Sequence, residues 1–267
     1  MSFDAVPPPR PFGRGKGWIY DTNPRAPGFG AFMAATRAAV APRDMVPLVD
    51  HLRDQTITSC CVGFAFARAL DIRARLEGIP NPYPSAQAIY TVARLLSGSH
   101  TLLDQGCMPA DAADGLQRFG IVDAARWPFK EERINDHLPW DVLQNGADCQ
   151  VSGCYRIDAF GQARVDQVRQ MLERGYPVAF GMSVDQAFED WHGGDAYGDP
   201  KGRSLGGHMQ CLLYEPGIDK LGQFRGVGSW SGFGEDGKAL FRLTEGFVGS
   251  SFCTDFYAIT LAPPGVC

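Results

Sequence analysis

Residues 54–70 read DQTITSCCVGFAFARAL, a short polar stretch followed by an almost unbroken apolar run. The run begins at Cys61, and Arg73, Arg75 and Glu77 give its last turns a polar face. It is followed by Gly78 and Pro80, residues that commonly end a helix. The pattern predicts a helix of about 17 residues that begins at Cys61 and whose first turns are buried on nearly every side.

A cysteine at the first residue of a helix lies at the positive end of the helix dipole. That field stabilises the thiolate, lowers the thiol pKa and raises the fraction of reactive anion at neutral pH. Because structural cysteines also occupy helix starts, the position alone is weak support for catalysis. It makes Cys61 a candidate nucleophile that needs a base elsewhere in the chain.

A histidine with a distinctive context follows 147 residues after Cys61. Gly206 and Gly207 precede His208, and the apolar run 209–213 follows it. The other four histidines lack this combination of a glycine pair and a strand pattern. His208 is therefore the candidate base.

The hydrophobic pattern differs between the two halves of the chain. It is helical before residue 150, whereas short apolar or alternating runs separated by Gly and Asp follow, as is typical of antiparallel strands. The predicted helices cover residues 61–77, 85–96, 111–119 and 165–174. The predicted strands cover residues 176–183, 209–214, 224–230, 239–243 and 255–261.

These patterns predict three parts. Residues 1–45 are rich in Pro, Gly and Arg and are expected to form an extended N-terminal arm. Residues 46–150 are expected to form a mainly helical lobe that contains Cys61, and residues 151–267 a β-rich lobe that contains His208. The predicted fold class is α+β, with an active site in the cleft between the two lobes.

In their order along the chain, these segments resemble the papain-like (C1-type) cysteine peptidases. That family has a Gln six residues before a helix-starting Cys, as Gln55 stands before Cys61, and a Gly-x-His before a strand, as at His208. The Cys–His separation also lies in the family's range. Residues 228–237, GSWSGFGEDG, resemble the family's Asn-Ser-Trp-Gly segment and the glycine turn after it. Shorter agreements extend the resemblance over about residues 46–262.

The resemblance implies a thiol protease with a two-lobed fold, a helical lobe and an antiparallel β-sheet or barrel lobe. Cys61 would attack a peptide carbonyl and form an acyl-enzyme, while His208 would hold the thiolate as an ion pair and later protonate the leaving amine. Gln55 would donate its amide to the oxyanion beside the Cys61 backbone N–H. Trp230 would cover the histidine from solvent.

The sequence departs from the family at several positions. Gly228 stands where the family has its third catalytic residue, an Asn that orients the histidine. Val62 replaces the usual aromatic after the nucleophile, and Thr58 replaces a disulfide cysteine. Cys60 is the alternative nucleophile, but it lies five rather than six residues after Gln55 and is out of register.

Two consequences of the missing Asn stay open at the level of sequence. Ser229, Gln223, Gln210 or a trapped water could take over the orientation of His208. Alternatively, the fold is kept as a catalytically degraded module that binds peptides or serves a structural or assembly role.

The composition excludes other classes of protein. The net charge is −5, from 25 basic and 30 acidic residues, so we expect no nucleic-acid-binding surface. No apolar stretch approaches the roughly 18 residues of a membrane span, and the N-terminus lacks the apolar core of a signal peptide. We therefore expect a cytoplasmic protein, or one incorporated in a larger assembly that its N-terminal arm contacts.

The eight cysteines are expected to be mostly reduced thiols, because cytosolic chains keep cysteine reduced. A zinc site that includes Cys149 and Cys154 is the weaker alternative, since no second Cys or His pair stands at ligand spacing. The sequence predicts neither a metal nor a cofactor.

Overall fold

The computed structural model describes residues 14–22, 25–36, 42–79, 83–98, 102–147 and 149–262. Within these ranges the helices are α1 (Phe29–Ala35), α2 (Cys61–Glu77), α3 (Ala86–Leu96), α4 (Pro109–Phe119), α5 (Trp140–Gly146), α6 (Gln162–Glu173), α7 (Gln186–Glu189) and α8 (Glu245–Gly249). The strands are β1 (Val151–Ile157), β2 (Val178–Val184), β3 (Gly206–Leu213), β4 (Gln223–Val227), β5 (Leu240–Thr244) and β6 (Cys253–Leu261). Parts of the predicted N-terminal arm, residues 1–13, 23–24 and 37–41, lie outside the described residues.

Helix α2 is the central helix of the molecule. It begins at Cys61 as predicted, and Gly78 ends it in the left-handed conformation with φ of 68°. A Cβ atom on Gly63 would lie 2.1 Å from the backbone oxygen of Ala86. The glycine therefore lets α2 and α3 approach backbone to backbone.

The strands form one antiparallel sheet in the order β1-β6-β2-β3-β4-β5. Helix α2 packs against β3 and β6, and their apolar side chains share one buried cluster. In the register of β2 and β3, Met182 pairs with His208. The α+β prediction is confirmed, and this packing directs the first turn of α2 toward the start of β3.

Six cysteines of the described residues are free, buried thiols, whereas Cys149 is disulfide-bonded. None of the helices in the described ranges is long and apolar enough to cross a membrane.

Candidate active site

The structure places Cys61 and His208, the candidate nucleophile and base, close to each other. Cys61 and His208 are both fully buried, and the backbone N–H of Met209, the residue after His208, points at the Cys61 sulfur. Both ring nitrogens of His208 lack a hydrogen-bond partner within the described part of the chain. The thiol and the imidazole are therefore neighbours that share no hydrogen bond in this conformation.

Cys60 is directed away from this place. Its thiol donates to the backbone oxygen of Ala86 on α3, at 3.6 Å, and is completely buried. Burial raises the pKa of the Cys60 thiol well above its usual value. Cys60 faces the helical core, whereas Cys61 faces the strand that carries His208.

The Gln55 side-chain amide lies in a fixed orientation beside the start of α2. Its Oε1 accepts from the Ser229 hydroxyl at 2.6 Å. Its Nε2 donates to two backbone carbonyls, that of Thr58 at 2.7 Å and that of Gly15 at 3.1 Å. Because both carbonyls are acceptors, the nitrogen of the amide must be the atom on that side.

Trp230 covers His208 in the way that the resemblance implies. The two rings stack with centroids 3.9 Å apart and planes inclined by 16°. Trp230 is buried, and its indole N–H donates to the Gly15 carbonyl at 3.1 Å. That carbonyl thus receives two hydrogen bonds, one from Gln55 and one from Trp230.

Residues 14–19, which we call the cleft segment, run across these groups. The Trp18 N–H donates to the Gly207 carbonyl at 3.3 Å. The Gly17 carbonyl accepts from the Cys107 N–H at 3.0 Å, and the Ile19 N–H donates to the Cys107 carbonyl at 3.1 Å. The segment therefore binds as an extended strand between Cys107 on one side and the start of β3 on the other.

Glycines make this close approach sterically feasible. A Cβ atom on Gly15 would lie 2.0 Å from the Thr58 carbonyl oxygen, and one on Gly17 would lie 1.9 Å from that of Ser59. Gly17 also directs its backbone N–H at the Cys61 sulfur. A side chain at either glycine is incompatible with the observed position of the cleft segment.

Side chains fix the ends of the cleft segment. The Trp18 ring packs on the backbone of Gly207, and its indole N–H donates to Asp255 at 2.8 Å. Lys16 forms an ion pair with Glu189, and Arg14 donates to the Ser231 carbonyl at 3.2 Å.

Exclusion of water determines the charge state of the pair. Burial raises the pKa of the Cys61 thiol to about 11, and the N–H groups directed at the sulfur offset only part of that rise. Burial, together with the positive charges of Lys16 and Arg14, lowers the pKa of His208 well below its usual value. Both groups are therefore neutral at pH 7. The expected lowered thiol pKa and ion pair are wrong for this closed conformation, because desolvation outweighs the helix dipole.

The position of the cleft segment over Cys61 and His208 was not predicted from the sequence. Its signal is the alternation in residues 13–18, GRGKGW, where glycines occupy every second position before a tryptophan. In an extended strand every second residue faces the same side. Such a strand presents a face without side chains, which suits a narrow cleft.

The comparisons with known proteins concern the fold. No family model matches the sequence, and no curated protein gives a significant sequence match. Xylellain, a cysteine protease from Xylella fastidiosa, superposes with a TM-score of 0.70 at 21% identity, over 94% of this chain and 97% of that one. Procathepsin B S9 from Trypanosoma congolense gives 0.68 at 16% identity, over 94% and 87%.

The recombinant stem bromelain precursor gives a TM-score of 0.67 at 16% identity, over 94% of this chain and 78% of that one. These likenesses cover nearly all of the chain, although few residues are identical. The resemblance drawn from the sequence motifs is thus confirmed at the level of the fold, and the chain has the papain-like fold.

Proposed function

We propose that the protein is a thiol-dependent peptidase in which Cys61 is the nucleophile, His208 the base and Gln55 an oxyanion donor. One observation carries the proposal. The Gln55 amide donates to a backbone carbonyl, that of Gly15, in an extended segment whose Gly17 N–H faces the Cys61 sulfur. The cleft therefore holds a peptide with a carbonyl on the proposed donor. The similar structures named as cysteine proteases support the same activity.

The residues define a sequence of steps. His208 takes the Cys61 proton, and the sulfur forms a bond to the substrate carbonyl carbon while Gln55 donates to the resulting oxyanion. The C–N bond then breaks, and the leaving amine takes its proton from His208. A water molecule, deprotonated by His208, attacks the thioester, and the acid product leaves with the thiol restored.

The closed conformation is a latent form of this enzyme. The cleft segment occupies the donor, covers the thiol and keeps both catalytic groups neutral. A substrate can enter only when residues 14–19 leave the cleft. The N-terminal arm is then free to contact another molecule, so we also propose that an assembly partner of this arm would open the site.

The second candidate is a degraded module that binds peptides without cleaving them. It is favoured by Gly228, because the residue that would orient His208 is missing at its usual place. It uses the same cleft and the same Gln55 contact, and it differs in predicting binding without turnover.

The test begins with the double variant Gly15→Ala/Gly17→Ala, which we call the open variant. Each new Cβ would lie about 2 Å from a backbone oxygen, at 2.0 Å and 1.9 Å, so the cleft segment must leave. Gly30→Ala is the matched control, because nothing lies within 4 Å of a Cβ there. We expect the open variant to hydrolyse unstructured peptides and the control to behave as the native protein.

Two further substitutions, each made in the open variant, identify the nucleophile. Cys61→Ala is expected to abolish hydrolysis, whereas Cys60→Ala is expected to keep most of it, because the Cys60 thiol faces Ala86. Equal loss in both would refute the assignment. Peptide binding by the open variant without any hydrolysis would favour the degraded module instead.

A further inference from the structure

Within the described ranges of the chain, three buried polar atoms of two β3 residues have no hydrogen-bond partner. They are Nδ1 and Nε2 of His208 and Oε1 of Gln210. His208 is fully buried and Gln210 is 1% exposed. Residues two apart on a strand face the same side of the sheet, so both side chains project from the same face of β3. An unpaired acceptor thus lies on the same face as a ring that must donate one N–H when it is neutral.

The Gln210 side chain also accounts for the glycine at 228. A Cβ atom on Gly228 would lie 2.7 Å from Gln210 Oε1. The φ of Gly228 is not positive, so its backbone conformation does not require glycine. The amide of Gln210 therefore fills the space that a side chain at 228 would need.

Two other side chains, Ser229 and Gln223, were candidates for orienting His208. The first is hydrogen-bonded elsewhere, and the second lies farther along the chain. The Ser229 hydroxyl donates to Gln55 Oε1 at 2.6 Å. Gln223 begins β4, five residues before Gly228. Gln210, in contrast, places its Oε1 2.7 Å from the position of a Cβ atom on Gly228.

We propose that Gln210 is the positioning residue of His208 and replaces the missing Asn, an inference that rests on the proposed function. Gln210 Oε1 accepts the N–H of the ring nitrogen that faces away from Cys61, and so leaves the other ring nitrogen free to take the thiol proton. The Trp230 ring limits movement of the imidazole on one face. The bond is not made in the closed conformation, and we place its formation in the open one.

The first test measures the histidine itself. In the open variant, the ¹⁵N chemical shifts of the His208 ring report which nitrogen carries the proton, whether or not peptides are cleaved. We expect one tautomer with Gln210 present and a mixture in Gln210→Met, which keeps the length of the side chain and removes the amide. In Gln210→Glu the new carboxylate should raise the pKa of His208, because a negative charge nearby favours the imidazolium. Gln223→Met is the control and should change neither quantity.

The second test measures catalysis. Gln210→Met should lower kcat by about 10- to 100-fold with little change in KM, less than the roughly 10⁴-fold that loss of an orienting Asp costs in serine triads. The rate of Cys61 alkylation should fall together with kcat in this variant, at every pH measured. An unchanged tautomer together with an unchanged alkylation profile in Gln210→Met would overturn the proposal.

A rescue experiment separates positioning from packing. Gly228→Asn alone should lower stability, since its side chain meets Gln210 Oε1. Gln210→Ala/Gly228→Asn frees that space and returns an amide oxygen, so kcat should recover at least 10-fold relative to Gln210→Ala. No recovery, with the double variant folded, would show that Gln210 only packs. The ¹⁵N shifts of His208 could change in the Gln210 variants as expected while no variant cleaves peptides. In that case the proposed function fails, and the role of Gln210 in positioning His208 stands.

Discussion

Gln55, the proposed oxyanion donor, also links distant parts of the fold. Its backbone N–H and its side-chain Oε1 both bond to Ser229, so it joins the segment before α2 to the segment after β4. Its Nε2 donates to the backbone carbonyl of Thr58, three residues before Cys61. The sequence motif indicated the donor role, but it gave no sign of these links, because Ser229 is 174 residues away. A change at Gln55 should therefore affect both turnover and folding.

Gln55→Ala is expected to lower kcat of the open variant by about 10²–10³, because one oxyanion donor is lost. It should also lower the free energy of unfolding by about 1–3 kcal/mol, since the buried Ser229 hydroxyl and Thr58 carbonyl lose their partner. Steady-state kinetics and urea unfolding measure the two effects. Gln150→Ala, on an exposed amide, is the control. Full turnover in Gln55→Ala would show that another group stabilises the oxyanion.

At the scale of elements, the sequence predicted those that have a strong local pattern. Helix α2 is apolar over its first turns and ends in a glycine, so its bounds agree with the prediction. Strand β1 was missed because VSGCYRI has Ser, Gly and Arg in it and pairs with β6 alone. Helix α1 was missed because it has only seven residues and follows Pro27-Gly28. Long-range contacts stabilise both, and local patterns do not encode those contacts.

An irregularity in strand β6 positions Asp255, whose carboxylate binds the cleft segment. The β2–β6 register shifts between Ala179 and Gly181, and Asp255 there has a φ of 52°. Its Oδ2 accepts from the Trp18 indole at 2.8 Å and from the Asp21 backbone N–H at 3.1 Å. Burial, and then the nearby Asp21 carboxylate, raise the pKa of Asp255 to about 6, although Arg156 acts in the opposite direction.

A raised pKa gives a definite sign to the pH dependence. The folded protein binds the Asp255 proton more tightly than the unfolded chain, whose pKa is 3.8. The protonated Asp255 therefore stabilises the folded protein below pH 4, and this contribution is lost as the pH rises through 6. In Asp255→Asn the amide oxygen can accept both bonds and the positive φ is tolerated. Relative to the native protein, this variant should gain stability between pH 4 and 6, by about 3 kcal/mol at most.

Thermal unfolding at several pH values checks this prediction, with Asp21 and Arg156 unchanged in both proteins. Asp236→Asn is the matched control, because Asp236 has the same φ of 52° but is exposed. Parallel Tm–pH curves for Asp255→Asn and the native protein would contradict the assignment of this titration to Asp255.

At the scale of the whole molecule, the cleft segment closes a site that the rest of the fold has formed. It touches the start of α2, the start of β3 and the chain at Cys107, which are brought together only by folding. The sequence predicted an N-terminal arm and candidate site residues, but it did not indicate whether the arm crosses the cleft. That contact depends on the three-dimensional positions of Gly207 and Trp230, far along the chain.

The rate at which Cys61 reacts with iodoacetamide at pH 7 measures whether residues 14–19 keep its thiol buried and neutral. With a thiol pKa of about 11, about one molecule in 10⁴ is the thiolate in the closed native protein. Opening the cleft should restore a pKa of about 8.5 or lower and so raise the rate by more than about 100-fold. We expect this acceleration in Gly15→Ala/Gly17→Ala, with Cys61 as the modified residue by mass spectrometry, and native behaviour in Gly30→Ala. Equal rates in all three proteins, or faster modification of a cysteine other than Cys61, would contradict it.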